Sequence, residues 1–158
     1  NVGRSRSIGA EATLSYGYKG LSVSAAYGYT DARFTLYDDG NNDYSGNRIP
    51  YSPEHTMNFR VGYLFPLTNS SIVRNISVNA DCSGIGRIWW DEANQFVEPF
   101  VAQVGADVSV AFHWFDLRFR MDNILNEDYN VFYFKSVGNH FFQRGKPLRW
   151  NIGINISL

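Results

Sequence analysis

Three groups of residues in this sequence are of types that do chemistry. The first is ionic. Arg60, Arg118, Arg120 and Arg149 recur with Glu11, Asp81 and Asp107 along otherwise apolar stretches. On one shared surface they would make ion pairs or hold a charged substrate. The second group is aromatic. Trp89 and Trp90 stand beside Asp91, and Tyr133 and Phe134 stand close to His140, Phe141 and Phe142. Rings next to a few polar groups suit sugar rings and chelate faces, because flat side chains add contact area at little entropic cost. Trp89, Trp90, Asp91, Tyr133, Phe134 and His140 are therefore the candidate ligand-binding residues, with anchoring at a membrane interface as the other role such rings take. The third group is the set that catalysis and metals use, and it is sparse. His55, His113 and His140 are scattered without metal-ligand spacing. Asp91 and Glu92 are adjacent in a polar segment, where carboxylates are usually solvated. Cys82, the single cysteine, falls on an apolar face, where a thiol is inert. No Ser–His–Asp or Cys–His arrangement can be built, so no catalytic residue, metal or cofactor is assigned and no enzyme is expected.

The elements that must position these groups read as strands. Residues Ile8, Ala10, Ala12, Leu14, Tyr16 and Tyr18 alternate with Gly9, Glu11, Thr13, Ser15 and Gly17. Alternation at period two is the mark of a strand with one apolar face. A Lys19–Gly20 turn leads to Leu21, Val23, Ala25, Tyr27 and Tyr29. Parity then changes near Asp31, where Ala32, Phe34 and Leu36 become the apolar set. Such a change means either a bulge or the exit from the buried zone. Further alternating runs are centred on Met57–Phe65, Ile76–Cys82, Phe100–Val110, Leu117–Met121 and Leu148–Leu158. That makes about seven antiparallel strands in a meander, with no helix-period segment. Connections alternate in length. Those at 19–20, 66–75 and 113–116 are short or moderate; those at 38–55, 88–95 and 130–146 are mostly longer and aromatic, and share one side of the sheet.

Each strand sets large apolar residues against small and polar ones, and the mid-strand charges lie on the polar side. A soluble sandwich with apolar faces turned inward accounts for that alternation equally well. Three features favour a membrane barrel. The strands run about ten residues, as spanning strands do. Connection lengths segregate by side. Aromatics gather near strand ends: Tyr16, Tyr18, Phe65, Trp114 and Phe115 at one end, and Tyr29, Trp89, Trp90, Phe132 and Tyr133 at the other. The mean hydropathy of −0.28 does not argue against this, because a barrel strand is apolar only at every second position. A net charge of −1 gives no electrostatic reason to expect nucleic acid. An arginine facing lipid at mid-bilayer costs roughly 2–4 kcal/mol, so Arg60, Arg118 and Arg120 must face the lumen. Gly9, Gly62, Gly105 and Gly153 share that face, where something packs closely or the sheet bends.

Several stretches carry a family resemblance. "SRSIGAEATLSYGYKGLSVSAAYGYTDARF" resembles late barrel strands of TonB-dependent outer-membrane receptors. Gly46, Asn47, Pro50, Pro53, His55 and Asn58 match the family's Gly-Asn/Arg-x-Pro-x-x-Pro-x-His-x-x-Asn run. Asn123, Leu125, Asn126 and Tyr129 match its Asn-Leu-x-Asp/Asn-x-x-Tyr motif, and Pro147 and Arg149 its closing Pro-x-Arg strand. The resemblance implies that residues 1–158 are the C-terminal third of a transmembrane β-barrel of about twenty-two strands, without the plug domain. The missing signal segment, the odd strand count and the two open edges fit such a portion. It implies a Gram-negative outer-membrane location and import of a scarce nutrient of the siderophore, cobalamin or glycan class. Energy would come from TonB, through an N-terminal part. Implied partners are outer-membrane lipid, the remaining strands and plug, and the barrel assembly machinery, which reads residues 148–158. The family usually ends on an aromatic, most often Phe, where this chain has Leu158. The alternatives are a soluble β-sandwich binding module and a passive outer-membrane porin.

Overall fold

The computed structural model describes residues 3–68, 70 and 72–156 of the chain. Its strands are β1 (Arg4–Tyr18), β2 (Leu21–Leu36), β3 (His55–Pro66), β4 (Val73–Gly86), β5 (Ile88–Trp89), β6 (Val97–Glu98), β7 (Val101–Phe112), β8 (Phe115–Asp122), β9 (Asn130–Ser136), β10 (Asn139–Arg144) and β11 (Arg149–Ile156). Seven of them form one antiparallel sheet in the order β1-β2-β3-β4-β7-β8-β11. These are the seven strands of the alternation. Ser157 and Leu158, the last two residues of the closing run, lie outside the described residues.

Register follows from the pattern. Leu14 pairs with Ala25, Ala25 with Phe59, Phe59 with Cys82, and Cys82 with Val104. Further along, Val108 pairs with Phe119, and Phe119 with Ile152. Every pair joins apolar to apolar, because a one-residue slip would turn a whole face over. The sheet is a single layer, and nothing among the described residues covers this face: Ile152, Ile154 and Ile156 are each at least 60% exposed. A sandwich would bury them. The large side chains that are buried, Phe34, Trp90 and Tyr133, lie instead in or against the long connections. The sheet is also open, since β1 pairs only with β2, and β11 only with β8.

The Lys19–Gly20 turn has φ of 44° and 88°, the two positive values that a two-residue hairpin needs to match strand twist. Pairing of β1 with β2 continues unbroken past Asp31 and shifts only between Arg4 and Ser5. The parity change at Asp31 is thus an exit from the apolar zone. Beyond it, Ala32 and Phe34 are buried under the 37–54 connection, whose backbone bonds them through Gly46, Asn47 and Ile49.

Two corrections concern the connections. Residues read as plain loop contain β-structure, with β5 paired to β6 and β9 to β10. The tight link read at 113–116 is shorter, because Phe115 and Asp116 already pair with Ile156 and Asn155. Close packing at the four glycines is also uneven. An ideal Cβ would collide with Asn79 at Gly62 and lie 2.6 Å from the Tyr29 carbonyl oxygen at Gly9, but it would meet nothing within 4 Å at Gly153.

Candidate functional site

The three long connections bind one another at the outer end of the sheet, and together they hold the aromatic candidates. The 51–54 segment extends β3 along β5: Tyr51 N–H donates to Trp89 O (2.8 Å) and Glu54 N–H to Arg87 O (3.0 Å). Glu98, at the end of β6, grips β9. Its Oε1 accepts from Asn130 N–H and its Oε2 from the Asn130 amide, both at 2.9 Å. The Tyr51 hydroxyl donates to the Tyr133 carbonyl at 3.0 Å. The result is a wall that continues the sheet outward.

Its interior is aromatic. Tyr51 meets Trp90 edge-on (5.6 Å between ring centres) and stacks on Phe132 (5.6 Å). Phe96 packs on Tyr133 (4.8 Å) and on His140 (5.0 Å). The Tyr133 hydroxyl lies 2.7 Å from His140 Nδ1. Burial pushes the Tyr133 phenol above its ordinary pKa, so it keeps its proton and can donate to that nitrogen.

Of the six expected ligand residues, all reach this outer end, but in different roles. Trp90 and Tyr133 are 6% and 1% exposed. They are the centre of the connection core and not the open platforms, or outer lipid anchors, that the sequence suggests. Two guanidiniums, Arg48 (5.2 Å) and Arg87 (5.8 Å), lie over the Trp89 ring. Asp91 turns its carboxylate to its own loop, accepting from Phe96 N–H (2.9 Å) and Gln95 N–H (3.2 Å). Phe134 and His140 stay exposed, and Phe134 stacks on Phe141 at 4.8 Å.

Residues missed in the sequence hold this end together. Arg48 bridges Asp31 (2.7 Å) and the buried Glu54 (2.8 Å), and Arg87 approaches Glu54 at 3.3 Å. The signal was the pair of charges in the proline-bracketed run around "RIPYSPEH", too compact to be a free loop.

A second constellation lies on the polar face of the spanning strands. Arg149 Nε meets Asp122 (3.1 Å), and Asp122 meets Arg120 Nε (2.7 Å). Arg120 bonds Asp81 (2.8 Å) and Asp107 (3.2 Å), and Asp107 bonds Arg118 (2.6 Å). Arg118, Arg120, Arg149, Asp81 and Asp107 thus form, with Asp122, a ladder of alternating sign across β4, β7, β8 and β11; Arg60 comes only within 3.7 Å of Asp107, and Glu11, opposite Gly28 on β1, makes no ion pair among the described residues. Asp107 is 2% exposed; its second oxygen accepts from the Asn79 amide at 2.8 Å. Gly105 makes the crossing possible, because a Cβ there would lie 2.9 Å from both Arg120 Nη2 and Asp81 Oδ2. All these charges are on the face opposite the apolar one, so an apolar solvent on one side and a wet lumen on the other satisfy every group.

A family model described as "TonB dependent receptor-like, beta-barrel" matches residues 1–124. Two solved structures share the fold. One is the ferric yersiniabactin uptake receptor of Yersinia pestis, with a TM-score of 0.84 at 16% identity over 99% of this chain. The other is a siderophore receptor of Acinetobacter baumannii, with a TM-score of 0.74 at 20% identity, again over 99% of this chain. The chain spans 24% and 22% of the length of those two proteins.

Proposed function

The chain belongs to the TonB-dependent receptor β-barrel family, and on that premise we propose that it is the C-terminal wall of an outer-membrane transporter that imports iron as a siderophore complex. One observation carries the reading: a single-layer sheet exposes an apolar face and turns Arg60, Asp81, Asp107, Arg118 and Arg120 to the other side. Both similar structures are receptors named for siderophores or their ferric complexes, which supports iron chelates over cobalamin or glycans. Energy would come from TonB acting on a plug in another part of the receptor. Outer-membrane lipid would cover the apolar face, further strands would pair with β1 and β11, and residues 148–158 would engage the assembly machinery in a Gram-negative outer membrane. Ligand would meet the outer wall, where Phe134 and His140 are exposed over the supporting Trp89, Trp90, Asp91 and Tyr133.

The test is uptake of radiolabelled ferric siderophores by cells expressing the receptor that carries this chain, with and without TonB. Uptake should require both. TonB-independent flux would leave a passive porin, and recovery of the protein in the soluble fraction would leave a sandwich module.

A further inference from the structure

The apolar face of the sheet ends on a charged belt. Up β1 from the Lys19–Gly20 turn, that face carries Tyr18, Tyr16, Leu14 and, last, Ile8; the next residue on it is Arg6. Cross-strand partners share a face, so Ala10 stands with Tyr29, Ile8 with Asp31, and Arg6 with Arg33. Tyr18 and Ile8 are ten residues apart on one strand. At about 3.4 Å per residue and a tilt of about 40°, that stretch climbs about 25 Å, the height of the apolar band of a membrane barrel. Just below the charges, Tyr27 and Tyr29 pack on His55, with 6.0 and 5.3 Å between ring centres. Aromatic residues take that place where lipid tails give way to headgroups. Arg6 and Arg33 thus stand at headgroup height on the side turned away from the lumen. Strands that complete a barrel pair with its edges and leave that outer side open.

The belt carries surplus positive charge. Four guanidiniums (Arg6, Arg33, Arg48, Arg87) are linked to two carboxylates (Asp31, Glu54). Both acids are largely covered, and Arg48, only 12% exposed, is spent between them. Arg6 and Arg33 are the open ones, 59% and 41% exposed. Arg33 donates Nε to Asp31 (2.8 Å) and Nη1 to the Gly46 carbonyl (3.1 Å), which fixes its plane. Among the described residues Arg6 comes no nearer an acid than 3.9 Å, to Asp31, beyond hydrogen-bond reach. The acids of the neighbouring connection are turned inward: Asp38, Asp39 and Asp43 accept from backbone N–H groups of their own turn. Two guanidiniums that share one half-covered carboxylate keep donors for a further anion, and their planar forks match phosphate.

We propose that Arg6 and Arg33 bind the phosphate of a lipid in the outer leaflet, whose acyl chains lie on the apolar face below, along Ile8 and Tyr27. This rests on the barrel reading, which puts lipid against that face. A free anion would gain only the charge contact. A lipid gains that and apolar contact together, because its headgroup and chains meet the sheet at the two heights where the basic and apolar residues stand.

The experiment uses the whole receptor that carries this chain, purified from outer membranes in an uncharged detergent. The probe is radiolabelled dioleoyl phosphatidic acid. Dioleoylglycerol supplies the chains without the phosphate, and inorganic phosphate the anion without the chains. Phosphatidic acid should stay with the receptor through gel filtration, and dioleoylglycerol should not. R6Q/R33Q should weaken its binding at least about tenfold, since one arginine near a charged lipid surface is worth roughly a factor of five. R6Q alone breaks no hydrogen bond and should weaken binding about fivefold, which keeps the test independent of folding. R60Q removes the same charge from the lumenal face and should change nothing. Unaltered binding in both R6Q and R6Q/R33Q would overturn the site, as would an equal loss in R60Q. Inorganic phosphate that displaces the lipid at equal concentration would overturn it too, by showing a site for free anions. If the receptor still imports iron in those cases, the transporter reading stands without the lipid site.

Discussion

At Gly105 the missing side chain is what lets Arg120 and Asp81 meet over the β4–β7 pairing. Gly105→Ala should therefore push apart a well-ordered ion pair and cost about 1–3 kcal/mol, the usual penalty of overpacking. Gly153→Ala, with open space around it, should be close to neutral. Urea unfolding of the receptor in detergent measures both, and equal midpoints would show that the ladder does not depend on that gap. Trp90 and Tyr133 illustrate a different residue-scale point. Both are buried, so Trp90→Ala with Tyr133→Ala should open a cavity in the connection core, where a large ring lost to Ala costs about 3–5 kcal/mol. Limited proteolysis should then cut the 37–54 and 123–148 connections while the spanning strands stay protected. Phe134→Ala, at an exposed ring, should instead weaken ferric-siderophore capture without new cleavage; intact capture would remove Phe134 from the ligand surface.

At the scale of the element, β11 holds the sharpest contrast. Ile154 pairs with Leu117 on the apolar face, and Asn155 with Asp116 on the polar one. Ile154→Arg places a guanidinium in lipid and should cost roughly 2–4 kcal/mol, lowering the yield of folded barrel. Asn155→Arg places the same group opposite a carboxylate and should assemble normally. The yield of the compact form that resists heating in detergent separates the two, and similar yields would contradict the register. The connections behave as elements too. Each is short of a core by itself, but Glu98 on Asn130 and Tyr51 on Tyr133 join them into one wall. A change in one connection should therefore be felt in the others.

For the whole molecule, a one-layer sheet has no way to bury both faces in water. Its apolar side and both of its edges, β1 and β11, are uncovered. Exposed strand edges and broad apolar patches drive association. The 158-residue chain expressed alone should be aggregated in plain buffer and should need detergent to remain dispersed. Light scattering and a thermal scan decide this: a monomeric, cooperative transition without detergent would contradict the exposure of the apolar face. The same geometry explains why lipid on one side and a wet interior on the other suit this sheet.

Alternation alone determined the seven strands and put Arg60, Arg118 and Arg120 on the face opposite the large apolar residues, because a period of two sends successive side chains to opposite sides; which residue pairs with which came from the structure. At Asp31 the sequence allowed a bulge or an exit from the apolar zone, and the unbroken β1–β2 pairing decided for the exit. Local pattern could not decide what the faces meet, since an apolar face turned to protein and one turned to lipid have the same sequence. Among the described residues no second layer covers Ile152 and Ile154, which a sandwich would require. Nor could pattern tell an exposed ring from a buried one in the connections, where periodicity is lost. Trp90 and Phe134 look alike in sequence, and only the approach of Tyr51, from another connection about forty residues away, buries the first and leaves the second open. The ladder is the same kind of case. Its members were readable as charges on one face, but their pairing depends on Asp81 turning toward Arg120, a choice made across three strands.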